Sequence, residues 1–521
     1  MENHSNRQVA KSAGIIGFAT LISRILGFAR DVVIARIFGV YIYAQAFVIA
    51  FRIPNLFRDL LGEGAANAAF VPVFTEYHVK HTEKEFWELA NVVLNLLLVI
   101  LASITILGII FSPVIVRLIA PGFIADPAKL QATIALNRII FPYLLLICLA
   151  AYSMGLLNSL KHFAVPAFAP CLLNISIIVF AMIFGEGITG LATGVLAGGA
   201  LQLAIQMPVL YKKGFRLNLF KRFDHPGARH IGRLLLPRLA SSSIYQLNNF
   251  VDTIFGSLAF IVGEGGVAIL YFSYRLIQFP LGVFSTALSQ AILPTLSHQA
   301  LEPGHDSLKQ TLSFGLRATY FVLLPSSVMF FLFSRPLIQA LFGGGRFDAY
   351  SVINTSAALK FYSLGLVAYG MSKILQSCFF ALKDTYTPAK IAFVGLVLNV
   401  ILNAVLMFPL KIAGIALATS ISAIVTTALL FIKLNKRLSP YDFKEVVSSF
   451  LRISLSGLCM GLISWLIYCN YAFTASGKGA QIIALFVILA VSVAVFAALC
   501  IFLKVREIKE LWAWLTKRKI S

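Results

Sequence analysis

Five arginines lie within or at the ends of stretches that otherwise have the composition of membrane-spanning helices: Arg24, Arg30, Arg52, Arg58 and Arg275. A charged side chain inside hydrocarbon costs about 2.5–3.5 kcal/mol on insertion scales, so a group of cations favours a watery interior over contact with lipid. The planar guanidinium can bind a phosphate through two parallel hydrogen bonds, which a lysine ammonium cannot do. These side chains therefore predict a cationic cavity suited to a diphosphate.

Two acidic residues accompany the first group of arginines. Asp31 follows Arg30 directly and lies seven residues after Arg24, so it can pair with an arginine and lower the cost of burial. Glu63 stands between two glycines at the end of the second predicted span, which is typical of a gate or a helix-end turn. We expect both acids to balance arginine charge during a functional cycle.

A second polar group lies in apolar segments further along the chain: Asp252, Asn399, Asn403 and Thr419. Carboxylate, amide and hydroxyl oxygens are ligands for a hard cation such as Na⁺. The same side chains also serve as hydrogen-bonding groups between helices in membrane bundles. The sequence favours the second interpretation and leaves the cation site as an alternative.

The composition predicts the class of element that must position these residues. The chain has 521 residues, of which 59% are hydrophobic and 12% are charged, and its mean hydropathy is +0.87. A membrane-spanning helix needs about 20 mostly apolar residues, and windows of that length predict about fourteen spans. The predicted spans lie near 12–38, 43–62, 87–111, 131–157, 164–185, 188–211, 231–262, 266–296, 312–336, 353–379, 387–408, 412–434, 449–470 and 480–503. The fold class is thus an all-α polytopic membrane protein.

An internal duplication organises the spans into two halves. Identical or similar residues recur 222 positions apart, namely Pro72 and Pro294, Ser112 and Ser334, Arg138 and Lys360, and Lys161 and Lys383. Six spans in each copy predict two pseudo-symmetric lobes around a central cationic cavity, as in parallel-repeat transporters. The predicted domains are an amino-terminal lobe at 1–211, a basic linker at 212–230, a second lobe at 231–434, and a region at 435–521 that carries two extra spans and a basic tail.

The net charge of +22 is distributed mainly over loops on one side of the predicted membrane topology. This positive-inside bias predicts that both termini are cytoplasmic, and it indicates contacts with anionic lipid head groups rather than with nucleic acid. The sequence contains no phosphate-binding loop, no His-Glu-x-x-His and no Gly-x-Ser-x-Gly. It therefore predicts a transporter without a resident cofactor rather than an enzyme.

Four motifs in the first eighty residues carry a family resemblance. They are SRILGFARD at 23–31, AFRIPNLFR at 50–58, GEGA at 62–65 and AFVPVF at 69–74. The chain resembles the MurJ (MviN) family of lipid II flippases, which belongs to the multidrug/oligosaccharidyl-lipid/polysaccharide exporter superfamily. The fourteen-span, two-lobe layout extends this resemblance over the whole chain.

The resemblance implies alternating-access transfer of undecaprenyl-diphosphate-linked peptidoglycan precursor across the bacterial cytoplasmic membrane. It implies that the family's cavity arginines correspond to Arg24, Arg30, Arg58 and Arg275, that Arg52 occupies a basic cavity position, and that the last two spans form a groove for the lipid tail. Coupling to Na⁺ or H⁺ and contact with other cell-wall synthesis proteins are further expectations. The alternatives are a flippase for another polyprenyl-linked oligosaccharide, of the O-antigen or capsule type, and a non-transporting scaffold.

Two positions depart from the family pattern. The family usually has an aspartate where this chain has Gln45, and often an acidic residue where it has Tyr274. Both departures remove a negative charge. They predict that the arginines are neutralised differently here or that the charge balance of the cycle is altered.

Overall fold

The structure is a computed structural model that describes residues 2–58, 69–185, 187–220, 222–438, 444–471 and 478–508. Within these residues, ten helices are long and apolar enough to cross a membrane. The all-helical polytopic fold is confirmed, whereas the count of fourteen spans stays a prediction. The chain divides into two compact units, Met1–Phe260 with Glu264–Ala268 and Gly345–Phe347, and Ile261–Gly263 with Ile269–Gly344 and Asp348–Ser521.

The helices of the first unit are α1 (Glu2–Phe38), α2 (Ile42–Arg58), α3 (Val71–Lys80), α4 (Glu83–Ile110), α5 (Ser112–Ile119), α6 (Pro127–Ile140), α7 (Tyr143–Ser159), α8 (Ala164–Phe184), α9 (Ile188–Ala204), α10 (Met207–Lys212) and α11 (Pro226–Gly256). The short α12 (Ala259–Val262) and the start of α13 (Gly266–Pro280) lie where the chain passes from one unit to the other. The second unit continues with α14 (Ala287–Gln299), α15 (Asp306–Leu332), α16 (Ser334–Leu341), α17 (Ala349–Ala381), α18 (Tyr386–Arg437), α19 (Lys444–Tyr471) and α20 (Lys478–Phe502). The predicted domains stay predictions, namely the lobe boundaries at 211 and 231, the linker and the tail region. By its contacts, α11 belongs to the first unit.

The duplication recurs in the local structure of each unit. The eight-residue helices α5 and α16 start at Ser112 and Ser334. Asp126 caps α6 by accepting a hydrogen bond from the Lys129 amide at 3.1 Å, and Asp348 caps α17 by accepting one from the Ser351 amide at 2.9 Å. Such caps satisfy an amide that has no partner within its helix. The 222-residue offset found in the sequence therefore corresponds to repeated backbone geometry.

The ends of α7 and α17 repeat the same left-handed turn. Lys161 and Lys383 both have φ of 57°, although neither is a glycine. The next amide closes each turn, from His162 to the Leu157 carbonyl and from Asp384 to the Phe379 carbonyl, both at 2.9 Å. This six-residue closure is the Schellman arrangement that satisfies the last carbonyls of a helix.

Glycines let α8 and α9 approach each other closely in the first unit. A Cβ on Gly194 would lie 2.9 Å from the Ile177 Cα, and a Cβ on Gly198 would lie 2.9 Å from the Leu173 Cα. The Ser176 hydroxyl donates to the Gly194 carbonyl at 2.8 Å. These glycines therefore have a packing role, because no larger residue fits between the two backbones.

In the second unit, α18 is two helices joined by a sharp reversal. Lys411 has a non-helical backbone (φ 51°, ψ −132°) two residues after Pro409. A Cβ on Gly414 would lie 2.1 Å from the Leu406 carbonyl oxygen, so the arms meet directly at the turn. This single element therefore supplies both of the spans predicted at 387–408 and 412–434.

Candidate functional site

Arg30 forms the most buried ionic contact of the predicted site. Arg30 is 5% exposed and Asp31 is 0% exposed. The Arg30 guanidinium donates from Nη2 and Nε to Asp31 Oδ1 at 2.7 and 3.1 Å. The predicted pairing of Asp31 with an arginine is thus confirmed, and its partner is the neighbouring Arg30.

Two other helices hold the Arg30 guanidinium in place. Nη1 donates to Asn174 Oδ1 on α8 at 3.1 Å, and the guanidinium carbon lies 5.8 Å from the centre of the Phe51 ring on α2. Asn174 in turn donates to the Ser23 carbonyl of α1 at 3.2 Å. Charge-assisted hydrogen bonds and the aromatic face both compensate the cost of burying the cation. Arg30 therefore links α1, α2 and α8.

The other arginines of the first unit are more accessible. Arg24 is exposed on α1, six residues before Arg30, which corresponds to about 9 Å along a helix. Arg52 and Arg58 are half-buried on α2, with Pro54 between them in the same helix. Side chains with this exposure leave part of their surface within reach of a ligand. Their assignment to a diphosphate stays a prediction.

Arg275 lies on α13 in the second unit and is half-buried. Its Nη1 donates to Gln278 Oε1 at 3.2 Å, one helical turn away. Its neighbour Tyr274 packs against Tyr362 and Tyr369, with ring centres 5.3 and 6.2 Å apart. Tyr274, one of the two departures predicted from the resemblance, therefore has an aromatic packing role.

Glu63, which the sequence predicts at a gate, lies outside the described residues.

Three of the four residues in the second polar group are linked by hydrogen bonds, namely Asn399, Asn403 and Thr419. Asn403 Nδ2 donates to Asn399 Oδ1 at 3.1 Å, and Asn399 Nδ2 donates to the Thr419 hydroxyl at 3.2 Å. Thr419 donates onward to the Ile415 carbonyl at 3.0 Å. This chain of hydrogen bonds joins the two arms of α18, as the favoured interpretation expects. Asp252 lies on α11 in the first unit, and the cation site stays a prediction.

An ionic group in the first unit, built on a buried lysine, was missed by sequence reasoning. Lys129, which is 2% exposed, contacts Glu264 Oε1 through its Nζ at 2.6 Å. Gln45 donates to the same Oε1 at 3.1 Å. The Lys129 ammonium also lies 5.2 Å from the centre of the Phe123 ring. Gln45, the other departure predicted from the resemblance, thus contacts a carboxylate, and an aspartate at this position would place a second negative charge beside Glu264.

No hydrophobic periodicity links Lys129, Gln45 and Glu264, because Gln45 and Glu264 are 219 positions apart in the chain. The sequence contains one indication of this group, which is that Glu264 stands between Gly263 and Gly265 at the end of an apolar stretch. That signal indicates a turn but not its partners. The group therefore became visible only with the tertiary structure.

The fold defines the class of protein. A solved MATE family multidrug resistance transporter of the MOP superfamily, in an inward-facing conformation, has a TM-score of 0.67 with 17% identity, covering 80% of this chain and 94% of that one. At that identity the likeness concerns the fold alone. The chain thus belongs to the class of all-α, multi-pass membrane proteins and shares the fold of that structure.

Sequence comparison then gives the family. A sequence profile of the lipid II flippase MurJ matches residues 34–500. A probable lipid II flippase MurJ of Buchnera aphidicola subsp. Acyrthosiphon pisum is 38% identical over 426 residues, which is 81% of this chain and 83% of that protein. A solved structure of a lipid II flippase MurJ, in its inward closed conformation, has a TM-score of 0.79 and 27% identity, covering 94% of this chain and 98% of that one. The chain belongs to the MurJ lipid II flippase family, whose members are multi-pass membrane transporters rather than enzymes.

Proposed function

We propose that this protein transfers lipid II from the inner to the outer leaflet of the bacterial cytoplasmic membrane. The observation that carries the proposal is the family match over residues 34–500. Translocation requires no covalent step. The protein has to lower the barrier for moving a large polar head group across hydrocarbon, while the polyprenyl tail stays in lipid.

The arginines supply the chemistry that this task requires. The lipid II head group carries a diphosphate, and guanidinium groups bind phosphate oxygens through paired, charge-assisted hydrogen bonds. We assign this role to Arg24, Arg52, Arg58 and Arg275, which are exposed or half-buried. Arg30 follows Arg24 by six residues and is held by Asp31 and Asn174, which supports a positioning role within the first unit.

Orientation and energy coupling are further parts of the proposal. The distribution of basic residues favours cytoplasmic termini. We propose that a Na⁺ or H⁺ gradient or the membrane potential drives the cycle, with Asp252 and the Asn399, Asn403 and Thr419 group as the coupling residues. The oxygen atoms of that group and its position inside an apolar hairpin support this choice.

Complementation of a flippase-depleted bacterium tests the function directly. Expression of this chain should restore growth and return lipid II to the outer leaflet, measured by labelling the precursor at the cell surface. Restoration of a different polyprenyl-linked oligosaccharide without lipid II would favour the O-antigen type of flippase. Restored growth without any change in surface precursor would favour the scaffold.

The site assignment has its own test in the same strain. Arg24→Ala and Arg275→Ala should abolish translocation while the protein still inserts into the membrane at normal abundance. Arg117→Ala is the matched control, because Arg117 is an exposed arginine on the short α5 and its loss removes the same charge. Full translocation by both test variants would refute the assignment.

A further inference from the structure

The second unit contains a cavity of ≈ 260 Å³ near the ends of its last two helices. Its lining consists of Arg317, Ser448, Ser449, Arg452, Val505, Arg506 and Glu507. None of these residues belongs to the predicted diphosphate or cation sites. The cavity therefore needs its own explanation.

The chain builds this cavity by turning back after α20. Lys504 has a left-handed backbone with φ of 53°, and the Val505 amide donates to the Cys500 carbonyl at 2.9 Å. This Schellman-type closure ends the helix, and the burial of Val505 anchors the following residues against the core. The turn thereby places Arg506 and Glu507 beside the first turns of α19 and the middle of α15.

A buried ion pair forms the floor of the cavity. Arg317 is 8% exposed and Glu507 is 2% exposed. Arg317 Nε lies 3.4 Å from Glu507 Oε1, and the Ser449 hydroxyl donates to the same oxygen at 2.8 Å. Arg452 and Arg506 are exposed at the rim. Three guanidinium groups and one carboxylate give the lining a net positive charge.

This combination of groups is suited to a phosphate. Arginine forks and serine hydroxyls both donate to phosphate oxygens, and the arginine contacts are the stronger because both partners are charged. The volume is slightly below the range of about 300–1,000 Å³ that encloses a drug-sized ligand. A single phosphate group with its nearest substituents is therefore an appropriate occupant.

The surface next to the cavity indicates that the phosphate belongs to a lipid. On α19, Leu451, Leu455, Leu458 and Leu462 are all exposed. Their spacing of three or four residues places them in one stripe that starts beside Arg452. An acyl chain can lie along this stripe while its phosphate occupies the cavity at the helix end, as basic groups at membrane interfaces do with anionic lipids.

We propose that this cavity binds the phosphate head group of an anionic membrane lipid. The cavity shares none of its lining residues with the predicted diphosphate site, and the proposal does not depend on the function proposed above. Through it, the lipid would fix the start of α19 to the segment after α20. A free phosphate in solution shares the same recognition chemistry, and the experiment has to separate these two sources.

The test uses the full-length protein in detergent, with dioctanoyl phosphatidylglycerol as the probe and dioctanoyl phosphatidylcholine as the uncharged reference. Native mass spectrometry and the shift in Tm report binding. The variant Arg452→Gln/Arg506→Gln removes the two rim charges and keeps both members of the buried pair, and we expect it to weaken phosphatidylglycerol binding about tenfold or more. The control Lys433→Gln/Lys436→Gln removes two exposed charges at the end of α18 and should bind as the wild type does.

A second variant keeps the proposal testable if the buried pair matters for folding. Arg317→Gln/Glu507→Gln removes both charges together, so neither is left unpaired, and it should also weaken phosphatidylglycerol binding. Equal binding by the rim variant and the control variant would overturn the proposal. Saturable displacement of the lipid by inorganic phosphate would assign the cavity to a soluble ligand and overturn the lipid assignment.

Discussion

The buried pair of Arg30 and Asp31 permits a quantitative test of what holds the first unit together. In Asp31→Asn, the guanidinium keeps its hydrogen bond to Asn174 but loses the carboxylate charge that lies 2.7 Å from its Nη2. Leaving one partner of a buried pair uncompensated typically costs about 3–5 kcal/mol. We therefore expect Asp31→Asn to lower the free energy of unfolding by about that amount, with a similar loss in Arg30→Gln.

The double variant Arg30→Gln/Asp31→Asn should cost much less than the sum of the two single variants, because it removes both members of the pair at once. A coupling free energy of about 2–3 kcal/mol is the expected result of this double-mutant cycle. Unfolding of purified protein in mixed detergent micelles, followed by circular dichroism at several denaturing detergent fractions, measures each corner of the cycle.

A second pair in the same unit provides the control. Lys80 and Glu76 lie at i,i+4 on α3 with an Nζ–Oε1 distance of 3.0 Å, and their side chains are 69% and 48% exposed. Exposed pairs of this kind contribute about 0.3–0.5 kcal/mol. A coupling at Arg30 and Asp31 no larger than that of the control pair would refute the reasoning from burial.

Three further outcomes follow from the repeated caps and turns. Asp126→Ala and Asp348→Ala should each lower the free energy of unfolding by about 0.5–2 kcal/mol, and by similar amounts, because both carboxylates cap a helix in the same way. If only one of the two variants were destabilised in the same micelle assay, the result would contradict the structural repeat. Lys161→Gly and Lys383→Gly should raise Tm, because glycine adopts a φ of 57° without the steric cost that lysine incurs, whereas Lys161→Ala should not. Burial alone would raise the pKa of Asp384, but hydrogen bonds from Thr387 and the charge of Arg437 outweigh burial and lower this pKa below its ordinary value of 3.8. The stability that ionised Asp384 contributes is therefore present above pH 3.8 and is lost as the pH falls through the lowered pKa. Asp384→Asn should therefore remove part of the acid-induced fall in Tm, measured between about pH 5 and pH 2.

The sequence predicted features that depend on local spacing or on a repeated pattern. Asp31 is adjacent to Arg30 in the chain, so an ion pair there required no tertiary information. The offset of 222 residues fixed equivalent helix starts at Ser112 and Ser334, because the same local motifs fold in the same way.

Contacts between distant segments were beyond sequence reasoning. Arg24 and Arg30 have the same side chain on the same helix, yet Arg30 is buried and Arg24 is exposed, because α8 brings Asn174 to only one of them. The contact of Lys129 with Glu264 spans 135 positions of the chain. Burial and charge compensation of this kind depend on helix packing, which hydrophobic periodicity does not encode.

The tight reversal at Lys411 has a consequence for biosynthesis. Only a few residues around Pro409 and Lys411 separate the two arms of α18, and Gly414 lies against the Leu406 carbonyl. We therefore expect the two arms to pair as soon as both have been synthesised, and in the folded hairpin the Ser422 hydroxyl donates to the Gly395 carbonyl across the pair. Entering lipid as a preassembled pair spares each arm from exposing its polar side chains to hydrocarbon alone.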